Sequence, residues 1–224
     1  ATIVALAKAP GSAKVKITQL VVYPIKSCGG VNVDSAEVGE RGFACDRQWM
    51  IVKLDEDDPT KAYFVTQRAT PSLATIHPNL PANPNAGVIL TGSRPDAPPP
   101  LEVPVVHDGK EIAVNVWSSP VLGTDQGGAA AAWLEAYIGL PRLRLVRMPD
   151  GFTREAPSGY TGASHDDAAA SVSFADGFPF LITNEASLED LNARLPPAPR
   201  DGPLRTGTTL SLSLSLSPSL SLSL

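Results

Sequence analysis

Short apolar runs separated by proline-rich loops constrain the fold of this chain more than any other feature. From Val15 onward, runs rich in valine, isoleucine and aromatic residues alternate with stretches such as PANPNAG (81–87) and GSRPDAPPP (92–100), which predict loops. Proline accounts for 22 of 224 residues, about twice its average share. Because proline interrupts helices, this pattern favours a loop-rich β protein, a barrel or a sandwich, over a helical bundle.

The predicted elements make a protein that is mainly β with a few helices, of the α+β class. Strands are predicted in the run from Val15 to Pro24 and at Ala36–Gly39, Arg47–Leu54, Ala62–Arg68, Leu73–His77, Gly87–Thr91, Leu101–Val106, Glu111–Trp117 and Leu143–Met148. Their spacing of about 10 to 15 residues is typical of antiparallel barrels and sandwiches. A helix is predicted over Gly127–Gly139, because a glycine ends the pattern and a proline follows at 141.

Beyond residue 148 the pattern becomes less regular. Residues 149–170 are polar and aperiodic, which predicts a surface loop, and short strands are predicted at Ser171–Phe174 and Phe180–Ile182. A second helix is predicted over Asn184–Leu195, because leucines recur there at helical spacing and Thr183 or Asn184 can cap its start.

The two ends of the chain differ in composition from the rest. Residues 1–14 predict an irregular leader, and residues 201–224 form a low-complexity tail in which Leu210–Leu224 reads LSLSLSLSPSLSLSL. A CT dinucleotide repeat encodes Leu-Ser in every frame, so we interpret the tail as translated repeat DNA from an unspliced intron or a frameshift. The alternative is an interaction strand, because strict alternation predicts a two-faced, aggregation-prone strand interrupted by Pro218.

Charge and ligand counts exclude several classes of protein. The net charge of −5 argues against a nucleic-acid binder held by a basic surface. Two cysteines are too few for a disulfide framework or a four-thiolate metal site, and the three histidines lack metal-ligand spacing. No apolar run reaches the roughly 18 residues that predict a transmembrane helix.

Three short motifs carry candidate anion ligands. In YPIKSCGG (23–30), Lys26 offers a point charge for a phosphate, Ser27 offers a hydroxyl donor, and the glycines allow close backbone approach. In CDRQW (45–49), Arg47 suits bidentate recognition of a phosphate or carboxylate. Arg68, at a strand end, is a third candidate. The alternatives are a solvated lysine in a turn, a surface pair of Asp46 with Arg47, and an ordinary edge arginine.

Other motifs are less informative. FADGFPFLITNEASL (174–188) leads a strand into a capped helix, whose N-terminus either binds an anion or simply connects two elements. Cys28 and Cys45 are expected to be small buried hydrophobic residues rather than reactive thiols. The acidic pairs at 57–58 and 166–167 are expected to be solvated loops.

Taken in order, the motifs resemble the MOSC family over about residues 15–195. They are VVYPIKSCGGVNVDSAEVGERGFACDRQWMIV, FVTQRATPSLATI, VWSSP, RLVR and FADGFPFLITNEASLEDLN. The nearest branch resembles the mitochondrial amidoxime-reducing component, and the C-terminal part of molybdenum cofactor sulfurases is its relative. The resemblance implies an N-terminal β-barrel-like domain over residues 15–148, followed by the start of a MOSC barrel over 149–200.

The resemblance also implies a molybdenum–pterin cofactor, Mo-molybdopterin. Lys26, Ser27 and Arg47 match positions that contact the pterin phosphate and adjoining groups in the family. Gly177 and Phe178 match a stretch that borders the cofactor through backbone atoms. Members of this branch reduce N-hydroxylated compounds such as amidoximes, and some reduce nitrite. Their electrons come from NADH through cytochrome b5 reductase and cytochrome b5, and the resemblance implies a mitochondrial or cytoplasmic location.

Two departures from the family pattern qualify these expectations. The family continues after the last helix with further strands and a cysteine that ligates molybdenum, whereas this chain runs into APRDGPLRTGTTL and the Leu-Ser repeat. Cys28 and Cys45 do not match that cysteine, so we expect an incomplete chain that is inactive as given, with no metal ligand or catalytic residue assigned. The sulfurases carry an upstream pyridoxal phosphate domain, of which this sequence shows nothing. A non-catalytic cofactor- or partner-binding module and a sulfurase-like fragment remain alternatives.

Overall fold

A computed structural model of the protein describes residues 2–4, 15–58, 61–156, 171–195 and 212–216. The strands are β1 (Thr2–Val4), β2 (Val15–Ile17), β3 (Val21–Val22), β4 (Val31–Asn32), β5 (Ser35–Gly39), β6 (Gly42–Phe43), β7 (Trp49–Leu54), β8 (Lys61–Phe64), β9 (Gly87–Leu90), β10 (Leu101–Pro104), β11 (Glu111–Val116), β12 (Ser119–Asp125), β13 (Leu143–Arg147), β14 (Ile182–Thr183) and β15 (Leu212–Leu216). The α-helices are α1 (Gly128–Ile138) and α2 (Glu185–Arg194), and short 3-10 helices span Pro71–Thr75 and Pro84–Ala86.

Five strands close into a barrel in the order β11, β12, β13, β7, β8. Every pairing is antiparallel except that of β8 with β11, which is parallel and completes the circle. The predicted class, mainly β with a few helices, is therefore confirmed. Within the described parts of the chain, no helix is long and apolar enough to cross a membrane.

The barrel separates two apolar cores. All five barrel strands contribute to the inner core, which is made of Met50, Val52, Ala62, Ile112, Val114, Val116, Val121, Val146, Met148 and Phe174. The alternate residues of β7 and β13, such as Ile51 and Leu145, face an outer core that also holds Trp133, Leu134 and Tyr137 of α1. Side chains alternate between the two faces of a strand, so one apolar run on β7 serves both cores.

The two predicted helices are confirmed, and each is capped at one end by a characteristic residue. α1 ends at Gly139, which adopts a left-handed backbone with φ of 79° and donates its amide to the Glu135 carbonyl. α2 begins at Asn184, whose side chain accepts hydrogen bonds from the amides of Ala186 and Ser187.

Several strand predictions are corrected by the structure. The predicted strand at Leu73–His77 is wrong, because Pro71 starts a 3-10 helix there and the spacing of three residues buries both Leu73 and Ile76. The run from Val15 to Pro24 forms two short strands instead of one, and the strand predicted over Arg47–Leu54 begins only at Trp49.

Three further differences concern strand ends and omissions. The strand predicted over Ala62–Arg68 ends at Phe64, and the predicted strand at Ser171–Phe174 is reduced to a single bridge between Ser171 and Glu155. β12 was not predicted, since its sequence SPVLGTD is rich in residues that disfavour strands. The strand predicted at Phe180–Ile182 is displaced to Ile182–Thr183.

The predictions for the chain ends are partly tested. The leader is not wholly irregular, because Thr2–Val4 pairs antiparallel with β5. In the tail, the backbone of Leu212–Leu216 lies between β14 and β2. The remaining residues of the predicted leader, tail and 149–170 loop (1, 5–14, 157–170, 196–211 and 217–224) lie outside the described residues.

Candidate functional site

Two segments that are far apart in sequence are joined by backbone hydrogen bonds. The Arg47 amide donates to the Tyr23 carbonyl at 2.7 Å, and the Trp49 amide donates to the Pro24 carbonyl at 3.1 Å. The Lys26 amide donates to the Trp49 carbonyl at 2.8 Å, so the ladder continues in parallel register. The two predicted anion motifs therefore lie side by side, at the start of β7.

Strained backbone accompanies the predicted ligands. Ser27 and Arg47 have positive φ values of 67° and 46°, and Trp117 has a φ of 56°. A left-handed backbone costs about 1–2 kcal/mol for a residue with a side chain. Such strain persists where surrounding contacts fix it, and it is often concentrated at functional sites. All three residues line the same cavity.

That cavity, which we call the anion cavity, brings together every predicted site residue. It has a volume of about 440 Å³ and is lined by Lys26, Ser27, Arg47, Gly177 and Phe178 among others. Its lining contains three cationic side chains, since Arg68 joins the two predicted cations, and one carboxylate, Asp176. A cavity with this charge and these N–H donors suits an anion such as a phosphate.

Lys26 is one of two buried cations that line the cavity. Its side chain is 7% exposed, and its ammonium lies 2.5 Å from Oδ1 of Asp176 and 5.6 Å from the centre of the Phe64 ring. Burial lowers the pKa of Lys26, and the hydrogen bond and charge of Asp176 oppose this shift. The predicted alternative of a solvated lysine in a turn is therefore wrong.

Arg47 is held by a buried carboxylate on its own loop. Its Nη1 donates to Oδ2 of Asp46 at 2.5 Å, and Oδ1 of Asp46 accepts from the Tyr23 amide at 2.9 Å. The guanidinium also lies 5.2 Å from the centre of the Tyr23 ring. Burial raises the pKa of Asp46, although the Arg47 charge opposes the shift. The pair is thus buried, and the predicted alternative of a surface pair is wrong.

The segment at 171–176 is fastened to these loops. The Phe174 amide donates to the Arg47 carbonyl at 3.0 Å, and the Ser173 hydroxyl donates to the Asp46 carbonyl at 2.7 Å. Phe174 is fully buried in the inner core. These contacts place Asp176 and the following Gly177 at the edge of the anion cavity.

Sequence reasoning missed three residues of this site. Arg154 is 3% exposed, and its guanidinium donates to the carbonyls of Ser173, Ala175 and Asp176 at 2.8, 2.5 and 3.3 Å. Asp176 and Trp117 share a hydrogen bond of 2.9 Å from the indole to Oδ1. Arg154 lies in a stretch without any pattern, so no signal pointed to it. Asp176 and Trp117 stand inside motifs that the resemblance uses, and that was the available signal.

Arg68 lines the anion cavity, whereas the two cysteines do not. Arg68 lines the cavity and lies 5.5 Å from the centre of the Trp117 ring, which favours the anion-contact interpretation. Cys28 and Cys45 are buried and do not line the cavity. Burial raises the pKa of both thiols, that of Cys45 to about 11. Their predicted role as inert buried residues agrees with this. Among the described residues, no cluster of metal-ligating side chains occurs.

Comparison with known proteins gives a consistent group of relatives. A family model described as the MOSC N-terminal beta barrel domain matches residues 14–141. Mitochondrial amidoxime-reducing component 1 of Mus musculus is 31% identical over 187 residues, which cover 80% of this chain and 50% of the mouse protein. The Homo sapiens protein of that name is 28% identical over 183 residues, covering 80% of this chain and 51% of that protein.

A second group of relatives is much longer than this chain. Molybdenum cofactor sulfurase of Drosophila erecta is 28% identical over 184 residues, which cover 81% of this chain and 21% of the sulfurase. The chain thus spans about half the length of the amidoxime-reducing relatives and about a fifth of the sulfurase.

Proposed function

The chain belongs to the MOSC N-terminal β-barrel family, and from this premise we propose that it binds the phosphate end of a molybdenum–pterin cofactor in the anion cavity. We propose further that it belongs to an oxidoreductase of the amidoxime-reducing type. Such an enzyme reduces N-hydroxylated compounds, and nitrite in some members, with electrons from NADH through cytochrome b5 reductase and cytochrome b5. The relatives' names support this proposal, because they refer to amidoxime reduction and to the molybdenum cofactor.

The observation that carries the proposal is the burial of Lys26 beside Arg47 at one cavity. Burying a cation is costly unless charged or polar groups compensate, and the described residues give the Lys26 ammonium one hydrogen-bond partner, Asp176. The amide nitrogen of Gln67, which lines the same cavity, is buried with no hydrogen-bond partner among the described residues. A phosphate and a polar ring system would supply the missing acceptors, so the residues present fit the cofactor.

Each cavity residue has a distinct task in this proposal. Lys26 and Arg47 neutralise the phosphate, and Arg47 can form a bidentate pair with two of its oxygens. The Ser27 hydroxyl donates a further hydrogen bond, and the left-handed backbone at both motifs aims these donors into one space. Gly177 leaves room for close approach, since a Cβ there would meet no atom within 4 Å. Phe178 lines the cavity beside it.

The cofactor supplies the redox chemistry when it is bound, and the chain supplies its binding and orientation. In this proposal Lys26 and Arg47 hold the phosphate end of the cofactor, because both lie on loops whose backbones are hydrogen-bonded at the start of β7. A cavity of about 440 Å³ lies within the usual range for small-molecule sites.

A second candidate function is a cofactor- or partner-binding module without catalysis. It is favoured by the placement of the thiols, since neither Cys28 nor Cys45 lines the cavity and both have raised pKa values. The family resemblance implies a cysteine thiolate as a molybdenum ligand, and no thiol of the described residues lines the proposed cofactor site. A sulfurase-like fragment would share this property.

Cofactor content tests the proposal. The 224-residue chain would be purified from a host that makes the cofactor, and molybdenum and oxidised pterin would be measured per chain. We expect bound pterin in the parent chain and at least a tenfold loss in Lys26→Ala and Arg47→Ala, because the phosphate loses a charged partner.

Lys61→Ala is the matched control, since the side chain of Lys61 is 70% exposed and lies outside the anion cavity. Its pterin content is expected to equal that of the parent chain, and circular dichroism would verify that each variant folds. Unchanged pterin content in both cavity variants would overturn the cofactor assignment. A folded parent chain without pterin or metal would favour the non-catalytic module.

A further inference from the structure

The carboxylate of Asp176 occupies a hydrogen-bonding position on Lys26 that an anionic ligand would use. We propose that Asp176 is an internal competitor for Lys26, so that it sets the affinity of the anion cavity and moves off the ammonium when a phosphate binds. This inference rests on the proposed function, because it assumes that the cavity holds a phosphate.

The two partners of the ion pair differ greatly in exposure. The Lys26 side chain is 7% exposed, whereas that of Asp176 is 69% exposed, and their atoms lie 2.5 Å apart. A buried lysine cannot easily turn away, but an exposed aspartate can rotate into water at little cost. An incoming phosphate would therefore displace the carboxylate and leave the ammonium in place.

The backbone around Asp176 allows such a rotation without unfolding the loop. Arg154 holds the carbonyl groups of Ser173, Ala175 and Asp176, so the main chain stays fixed while the side chain is free to change. There is open space beside the next residue, because a Cβ added to Gly177 would meet no atom within 4 Å apart from its chain neighbours.

Trp117 connects this exchange to an observable signal. Its indole nitrogen donates to the same Oδ1 atom that accepts from Lys26, at 2.9 Å. Trp117 is 50% exposed, whereas Trp49 and Trp133 are only 0% and 6% exposed. Neither of these two buried tryptophans lines the anion cavity. Displacement of the carboxylate would change the surroundings of Trp117, so its fluorescence should respond to phosphate.

Neutralising Asp176 would change the affinity for phosphate in opposite directions if Asp176 supported Lys26 and if it competed for Lys26. If the carboxylate only positioned the Lys26 ammonium for the ligand, its neutralisation would weaken phosphate binding. If it competes for the ammonium, neutralisation removes both the competitor and the repulsion between two like charges in a partly buried site. The sign of the change in affinity therefore distinguishes the two roles.

The experiment titrates the full 224-residue chain with inorganic phosphate at constant ionic strength, with tryptophan fluorescence and calorimetry as readouts. We expect Asp176→Asn to bind phosphate at least about tenfold more tightly than the parent chain. Asparagine keeps the shape and an acceptor for the Trp117 indole, but it removes the negative charge and replaces one carboxylate oxygen by an NH2 donor. Asp96→Asn is the matched control, because Asp96 pairs with Arg94 outside the anion cavity, and its affinity should equal that of the parent.

Trp117→Phe identifies the source of the fluorescence change, which should disappear in that variant while calorimetry still detects binding. Equal or weaker phosphate binding by Asp176→Asn, including no binding to either chain, would overturn the competitor proposal. Loss of binding in Lys26→Ala alongside an unaltered Asp176→Asn would leave the anion site standing without the competitor. Parent-like binding by Lys26→Ala would overturn the anion site itself.

Discussion

The two α-helices of this protein are similar in length but are held in place by different forces. α1 buries Ala130, Ala131, Trp133, Leu134 and Tyr137 against the outer core of the barrel. α2 buries no residue among the parts of the chain that the structure describes, and Leu191 is 46% exposed. The first helix is therefore stabilised by burial of its side chains. The second has no buried side chain, and its capping, its charges and the hydrogen bond from Thr18 to Glu185 contribute instead.

The charges of α2 show how a helix forms without a buried face. Asn184 caps the first turn, Glu185 lies in that turn, and Arg194 lies in the last turn, in agreement with the helix dipole. Asp190 and Arg194 form an ion pair at a spacing of four residues. The comparison teaches that an amphipathic pattern predicts a helix but does not reveal whether its apolar face has a partner.

Truncation of one leucine in each helix gives the largest expected contrast. Leu134→Ala removes a fully buried side chain and is expected to lower the free energy of unfolding by about 3–5 kcal/mol. Leu191→Ala alters an exposed side chain and is expected to change it by less than about 0.5 kcal/mol. Urea denaturation of both variants measures the difference. A comparable loss in Leu191→Ala would show that α2 is packed after all.

The same contrast explains what sequence could reveal about the fold. Apolar, β-branched runs predicted four of the five barrel strands. β11 alternates between buried and exposed residues, whereas the first four residues of β7 are all buried because they face the two cores. The local sequence pattern gave wrong predictions where contacts with distant residues decide the secondary structure. Leu73 and Ile76 were predicted to lie in a strand, but Leu73 packs into the outer core from a 3-10 helix that begins at Pro71, and Ile76 packs there directly after that helix. The closing pair of β8 with β11 is also non-local.

Substitutions at the two helix termini are expected to have smaller, and again unequal, effects. Gly139→Ala should lower the free energy of unfolding by about 1 kcal/mol, because Gly139 has a φ of 79°. Crowding adds nothing, since a Cβ there would meet no atom within 4 Å. Asn184→Ala removes a cap worth about 1 kcal/mol to α2.

Urea denaturation and amide hydrogen exchange distinguish a loss of stability of the whole domain from a loss of stability of α2 alone. Gly139→Ala should lower the urea midpoint, since α1 is part of the outer core. Asn184→Ala should leave that midpoint unchanged and speed amide hydrogen exchange in α2 alone. A lower midpoint in Asn184→Ala would contradict the view that α2 is held locally.

The sequence predicted those residues of the candidate site whose side-chain type alone indicates anion binding. Lys26 and Ser27 were identified as a cation and a hydroxyl beside two glycines, and Arg47 as an arginine suited to an anion; the structure places all three at one cavity. Arg154 was not identifiable, because its partners are backbone carbonyls that only the folded loop presents. Asp176 stands inside a motif, but its pairing with Lys26 could not be read from the sequence, since the two residues are 150 positions apart.

The ion pair of Lys26 with Asp176 joins the barrel to the segment that leads into α2, and the loss of this ion pair in acid is expected to have a small effect on stability. Burial acts to raise the pKa of Asp176, but the hydrogen bond and charge of Lys26, together with Trp117 and Arg47, hold it below its ordinary value of 3.8. The stabilisation is thus present above pH 3.8 and is lost as the pH falls through the lower, folded-state pKa.

Thermal unfolding of the parent chain and Asp176→Asn across this range tests the linkage. Because the carboxylate is largely exposed, the parent should unfold only about 1–3 °C higher than the variant at neutral pH. The two melting temperatures should converge below pH 3.8, where protonation neutralises the parent carboxyl as the asparagine already does. A difference that persisted unchanged in acid would mean that the carboxylate charge does not connect the two regions, and that the Asp176 backbone, fixed by Arg154, connects them instead.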